Sequence, residues 1–397
     1  MLISGIVAEF NPFHNGHKYL IDNARTNPGD GVVCVMSGNF VQRGEPAVVS
    51  KFARTKMAIA CGADLILELP LPYSISSAMY FSTGAIEILK GLGVVDTLCF
   101  GSECGDIQKL KSASKIINSN QMSAVLKKEL SKGVSYPAAR LSAAEQLAAD
   151  DDLSVLTTPN DTLAVEYISA CEKLNTGFSY KCIKRVGAQH DSSVSDEGFS
   201  SASLIRDLTV NDLQKCRNYM PAEAYSILEE EVLSGKTANI SYLERAIVAH
   251  LRTASAEKLK NVPDVSEGIE NKIILAANKF SKLDDIISVV KSKRYTYARL
   301  RRIILASYLG VTSPLRVKAP PYIRVLGMNE KGAEILSLAK KKSSLFVVGS
   351  LKDAERIDKN AAEYTALEAR AGDIYSLMYK NPVGGKTDYT NRFYKTF

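Results

Sequence analysis

No tryptophan occurs in this chain of 397 residues, and histidine occurs only four times. No apolar run approaches the ~20 residues that a membrane-spanning helix needs, so no membrane segment is expected. The opening residues lack a basic segment, a long apolar stretch and a small-residue cleavage site. "LISGIVAEF" therefore reads as part of the fold and not as a secretory signal. The seven cysteines (Cys34, Cys61, Cys99, Cys104, Cys171, Cys182 and Cys216) are odd in number, scattered, and without a C-x-x-C pair. They fit buried free thiols in a reducing cytoplasm better than a disulfide framework. There is no internal repeat and no low-complexity tract. Two Gly-Lys-Thr strings, at 235–237 and 385–387, fail as P-loops, because Glu230 and Lys380 stand where that motif requires glycine.

The apolar and charged fractions, 46% and 23%, are those of a water-soluble globular protein, and the length predicts two or three domains. The net charge of +7 is unevenly distributed. Residues 291–397 hold 21 Lys and Arg against 9 Asp and Glu, while the other 290 residues hold 29 against 34. A basic C-terminal region on a mildly acidic body implies a polyanionic partner such as nucleic acid, or else a solvated basic surface.

Short apolar runs alternate with helical patterns over the first 210 residues. Strands are predicted at 2–9, 31–37, 64–69, 95–100 and 178–186, with helices at 15–26, 50–61, 74–92 and 201–208. That alternation implies right-handed crossovers and a parallel sheet covered on both faces, with ligands bound at the carboxyl ends of the strands. A mostly helical insertion is expected over about 106–175. From 209 to 310 the apolar spacing is helical, and the prolines of "LGVTSPLRVKAPPYIRVLG" predict a turn-rich junction. "SSLFVVGS" (343–350) reads as one further strand.

Half of the histidines fall in "AEFNPFHNGHKYLI" (8–21), straight after the first strand. A helix beginning there directs its first N–H groups and its dipole at the strand end, which suits phosphate. His14 and His17, at i and i+3, share one face of the first turn. Asn11 and Pro12 favour the turn, and Gly16 leaves room for a base or ribose. Attack at the α-phosphate of ATP builds charge that fixed N–H donors stabilise. No third ligand stands at metal spacing, so no metal site is assigned.

The longer strings are more specific. "FNPFHNGH", "MSGNFVQRGEPAVVSKFARTKMAIACGADLILELPLPYS" (36–74), "CFGSE" (99–103), "PNDTLAVEYI" (159–168), "IKRVGAQHD" (183–191) and "KRYTYARLRRIILASYLGV" (293–311), in that order, resemble the bacterial tRNA(Met) cytidine acetate ligase family of the H-x-G-H nucleotidyltransferase superfamily. The resemblance implies an α/β, Rossmann-like nucleotidyltransferase domain at 1–210, carrying the insertion, followed by a mainly helical tRNA-binding region at 211–397. It implies acetylation of the wobble cytidine of elongator tRNA(Met), using acetate and ATP through an acetyl-adenylate, in the cytoplasm. Mg²⁺ would arrive with ATP, and neither a membrane nor a protein partner is implied. Acetate is ionised at neutral pH, so its attack on phosphorus needs no general base.

By resemblance, His14 and His17 are catalytic. ATP is held by Val7, Ala8, Glu9, Phe10, Asn11, Pro12, Phe13, His14, Asn15, Gly16, His17, Lys18, Tyr19 and Leu20, with Gly101, Asn160 and Arg185. Asn160 is equally a candidate cap for the helix it precedes. "FSSASLIRDL" (199–208) is similar to the superfamily's second signature, so Ser201 or Ser203 and Arg206 are candidates for the β- and γ-phosphates. His190 is a candidate for positioning substrate or for a structural pair with Asp191. "SGNFVQRGEP" (37–46) is placed to contact acetate or the incoming base, or is a plain structural loop. "KSKRYTYARLRR" interleaves Lys291, Lys293, Arg294, Arg299, Arg301 and Arg302 with two tyrosines, a combination suited to RNA. Two other readings are a cofactor-type adenylyltransferase and a non-catalytic, ATP-dependent RNA-binding factor. The 190 or so extra residues and the basic region disfavour the first, and the histidine pair disfavours the second.

Overall fold

The structure, a computed structural model, describes residues 1–148, 152–185 and 199–397. Five strands of the main sheet come from the first half: β1 (Ile3–Ala8), β2 (Gly31–Ser37), β5 (Leu65–Leu69), β6 (Thr97–Ser102) and β7 (Ser179–Lys184). Between β2 and β5 lies a small hairpin of β3 (Phe40–Val41) and β4 (Glu45–Pro46). The second half adds β8 (Tyr322–Met328), β9 (Phe346–Val348) and β10 (Tyr394–Lys395). The main sheet runs β10-β8-β5-β2-β1-β6-β7, with β9 also on β8.

Every residue of β2 and β5 is buried, as expected of central strands with helices on both faces. Val33, Val35, Leu65 and Leu67 face the helices Ala78–Leu92 and Pro159–Leu174. Val32, Cys34, Met36 and Ile66 face α1 (Asn15–Ala24) and α2 (Lys51–Ala60). A third core gathers the helices of 244–309 with Tyr375 and Met378.

Two expectations are corrected. The stretch expected to be a turn-rich junction contains β8, whose seven residues are all buried and which runs antiparallel to β5. Two prolines before it and Arg324 within it disguised the strand; Arg324 lies inside because Glu68 and Asp388 neutralise it there. The sheet therefore draws strands from both sides of residue 210. The helix expected over 74–92 is two, Leu71–Ser74 and Ala78–Leu92. Among the described residues, no helix is long and apolar enough to cross a membrane.

Candidate active site at the carboxyl edge of the sheet

The link from β1 to α1 is pinned from several sides. Phe10 takes a left-handed φ of 49°, which a bulky residue adopts only when its surroundings hold it there. Phe10 and Phe13 are fully buried, Asn11 Oδ1 accepts from Val48 N at 2.8 Å, and the Asn11–Pro12 peptide is cis. Arg54, completely buried on α2, donates to the carbonyls of Glu9 (2.6 Å), Ser37 (3.0 Å), Val49 (3.1 Å) and Gly38. One guanidinium thus joins the carboxyl ends of β1 and β2.

The histidine pair caps its own helix. His14 Nδ1 accepts from Gly16 N at 3.1 Å, and His17 Nδ1 accepts from His14 N at 3.2 Å. The rings stack with centroids 3.7 Å apart, and Phe10 packs edge-on against His17. Burial holds the His14 imidazole down to about 3, with Arg185 and Arg206 adding to the effect. Burial, then His14 and Arg185, holds His17 well below its ordinary value. Both rings are neutral at physiological pH. With each Nδ1 accepting, each must carry its proton on Nε2. The signature therefore presents two neutral N–H donors of one defined tautomer.

This geometry changes two local readings. The first amides of α1 are not free: Asn15 N donates to Tyr219 O at 2.9 Å, Gly16 N to His14, and His17 N to His14 O at 2.9 Å. The imidazoles supply the donors instead. Glycine at 16 answers first to the protein itself, since a Cβ there would come within 2.9 Å of His14 Cε1.

The remaining candidates fall unevenly. Gly101 lies in β6, and a Cβ added to it would meet Arg185 Cγ at 3.5 Å, an ordinary contact. Arg185 N donates to Ser102 O at 2.9 Å while its side chain is exposed. Arg185 and Arg206 both act electrostatically on His14, so this group of cations and imidazoles gathers at one place. Arg206 Nη1 donates to Asn11 O at 2.9 Å and its Nη2 to Ser203 Oγ at 3.1 Å. Ser201 caps the helix Ala202–Asn211 through Leu204 N. Asn160 caps nothing: it lies inside the helix Pro159–Leu174. Its Nδ2 donates to Glu103 Oε1 at 2.5 Å, and the same carboxylate accepts from the Asn160 and Asp161 amides. His190 lies outside the described residues.

Among the basic residues, Arg294 pairs with Glu267 at 2.5 Å and donates to Leu130 O at 2.9 Å. Arg299 lies over the Tyr295 ring and donates to Asp264 O at 2.7 Å. Arg301 pairs with Glu45, and Arg302 with Asp264 at 3.6 Å. Lys291 and Lys293 are exposed, the former 4.6 Å from the Tyr297 ring centroid. The helix Tyr297–Leu309 sits against the β3–β4 hairpin so closely that a Cβ on Gly44 (φ +75°) would come within 2.5 Å of Arg302 N.

Sequence reasoning passed over Arg54, Glu103 and a buried cluster. In that cluster Lys51 pairs with Glu68 at 2.5 Å and also with Asp388, and Arg324 meets Glu68 at 2.9 Å and Asp388 at 2.5 Å. The only signal was two cations, Lys51 and Arg54, on the inner side of a helix pattern.

A mostly parallel sheet whose first strand runs into a self-capped H-x-G-H turn defines a nucleotidyltransferase fold. The description HIGH Nucleotidyl Transferase belongs to the family model that matches residues 1–389. Within it, the chain belongs to the tRNA(Met) cytidine acetate ligase family. It is 38% identical over 401 residues to the ligase of that name from Acetivibrio thermocellus and 40% identical over 400 residues to that from Clostridium kluyveri, covering 96% of both chains in each case. The apo crystal structure of Thermotoga maritima TmcAL superposes with a TM-score of 0.91 at 33% identity, over 100% of this chain and 99% of that one. The crystal structure of the same protein with alpha-thio ATP superposes with a TM-score of 0.91 at 32% identity, over the full length of both.

Proposed function

We propose that this chain activates acetate with ATP as acetyl-adenylate and transfers the acetyl group to N4 of the wobble cytidine of elongator tRNA(Met). The observation that carries the reading is the stacked, neutral pair His14 and His17 at the carboxyl edge of the sheet, each with Nδ1 taken by a backbone amide and its proton therefore on Nε2. An acetate oxygen attacks the α-phosphorus, the bond to pyrophosphate breaks, and charge accumulates on the phosphoryl oxygens. Two pre-set imidazole donors stabilise that charge with no proton transfer of their own; losing one such donor typically costs about 10²–10³ in rate. Arg185 and Arg206 add positive charge beside them, Arg206 with Ser203 toward the β- and γ-phosphates.

The second step needs an activated acyl donor, because the cytidine N4 lone pair is delocalised into the ring. A mixed anhydride of acetate and AMP is one. ATP chemistry falls to residues 1–210 and tRNA binding to 211–397, where exposed Lys291 and Lys293 are free to meet phosphates. Mg²⁺ would come with the triphosphate: among the described residues, no three His, Cys, Asp or Glu side chains are grouped to hold a metal ion.

The test incubates the chain with radiolabelled acetate, ATP and tRNA(Met). Label on the tRNA, with acetate-dependent ATP–pyrophosphate exchange, is the expected result. Exchange that depends on a different acceptor would favour a cofactor adenylyltransferase, and neither signal would favour a binding factor.

A further inference from the structure

Acetyl transfer must dispose of a proton. As cytidine N4 attacks the acetyl carbonyl, a C–N bond forms, the C–O bond to the AMP phosphate breaks, and N4 sheds one hydrogen. Neither imidazole can take it. His14 and His17 spend their lone-pair nitrogens on backbone N–H groups, and burial keeps both far less basic than free imidazole.

Most carboxylates near the carboxyl ends of the strands are committed elsewhere. Glu45 pairs with Arg301, and Glu68 with Lys51 and Arg324. Glu103 takes the Asn160 and Asp161 amides, and Asp161 takes the Ser102 hydroxyl and the Glu103 and Cys104 amides. Among the described residues, Glu9 is less committed than these, with one hydrogen bond, from a backbone amide. It stands one residue beyond β1, its backbone is fixed by Arg54, and its side chain is half-buried. Its Oε1 accepts from Gln42 N at 2.7 Å, and the Gln42 side-chain amide, Nε2, is buried with no hydrogen-bond partner. A carboxylate acceptor on Glu9 and an unpartnered amide donor on Gln42, the residue whose backbone it bonds, match in kind one edge of cytosine, where the N4 amine donates next to the N3 acceptor.

We infer that Glu9 is a catalytic residue of the transfer step, its carboxylate accepting the N4 proton as the amine attacks while the Gln42 amide donates to N3 and orients the base. This rests on the acetyl-transfer reading above. AMP leaves with the electron pair of the broken C–O bond, and Glu9 later returns its proton to water, so no further reactant is needed. Glu9 is faced by Arg54 from α2, Arg43 from the hairpin, Arg206 from the helix Ala202–Asn211, and Tyr167 from the helix Pro159–Leu174. Burial outweighs the Gln42 amide and the three arginines and raises the Glu9 carboxyl, the direction that improves a general base.

The full chain tests this in single turnover. Enzyme loaded with radiolabelled acetate and ATP is mixed with tRNA(Met), and transfer is timed beside ATP–pyrophosphate exchange. If the unsubstituted chain exchanges but never labels tRNA, the acetyl-transfer reading falls and this inference with it. Glu9→Gln keeps the acceptor for Gln42 N but cannot take a proton. Transfer is expected to fall about 10²–10⁴-fold, well beyond any loss of exchange, and its rise with pH to vanish. Equal losses in the two assays, or an unaltered pH profile, overturn the assignment. Should Glu9→Gln fail to fold, Glu9→Asp retains a carboxylate and is expected to shift the inflection of the transfer profile; an unshifted inflection overturns it equally.

Discussion

His14 and His17 lie with their ring centroids 3.7 Å apart, and the His14 backbone amide donates to the His17 ring at 3.2 Å. The pair is at once a helix cap and a double hydrogen-bond donor, and substitution can separate the two roles. His14→Asn retains a capping acceptor, since asparagine is a good N-cap, but removes Nε2–H. Stability is expected to stay within a few tenths of a kcal/mol, about 1 kcal/mol above His14→Ala, in chemical denaturation. Acetate-dependent ATP–pyrophosphate exchange is expected to fall about 10²–10³-fold in both variants. Wild-type exchange in His14→Asn would show that only the cap matters. His17→Ala should likewise abolish exchange while leaving tRNA binding near wild type.

The same burial sets a pH dependence. His14 is held down to about 3, so between its ordinary 6.5 and that value the unfolded chain binds a proton that the folded chain does not. Stability is therefore complete above pH 6.5 and is lost as pH falls toward 3, with a slope of about 1.4 kcal/mol per pH unit for each such histidine. Denaturant titrations from neutral to acid pH should show the slope, and His14→Asn should remove its share. An identical slope in the variant would place the proton uptake elsewhere.

The basic stretch divides into exposed and committed cations. Lys291→Ala with Lys293→Ala is expected to leave the melting temperature unchanged and to lower the log–log salt slope of tRNA binding by roughly 0.7–0.9 per lost contact. Arg302→Ala behaves differently. It strips one partner from the largely buried Asp264, leaving Arg316, and is expected to cost about 1–3 kcal/mol. Filter binding at several salt concentrations, alongside thermal melts, checks both. An unchanged salt slope in the lysine variant would move the RNA surface elsewhere within 303–397.

The cluster of Lys51, Glu68, Arg324 and Asp388 ties β8 and the C-terminal segment to β5 and α2. Arg324→Met leaves two buried carboxylates sharing Lys51, and is expected to cost about 3–5 kcal/mol. Because β8 lies inside the sheet, unfolding should remain one cooperative transition in which the ATP site and the C-terminal region are lost together. Separate melting of the two halves would contradict that coupling.

The α/β alternation, the five main-sheet strands of the first half and the histidine signature were legible because each is written over a few neighbouring residues. Periodicity exposes a buried strand such as β2, and a capping turn involves residues three apart. The strand β8 was not legible, since Arg324 interrupts its apolar run and its justification, Glu68, stands 256 residues away. Asn160 was a candidate cap, besides a candidate ATP contact, because helix starts favour asparagine; the carboxylate of Glu103 holds that helix end instead.

Chain order alone pointed to the class of fold, the position of the histidine turn and the family resemblance, all of which rest on short-range pattern and residue type. Tertiary structure decided the rest: that the imidazoles and not the helix amides offer the N–H donors, that most of the basic stretch is spent on internal partners, and that the C-terminal strands complete the first half's sheet. These depend on which groups lose water together and on which partners then satisfy them. Such pairings are made across hundreds of residues, where no local pattern records them.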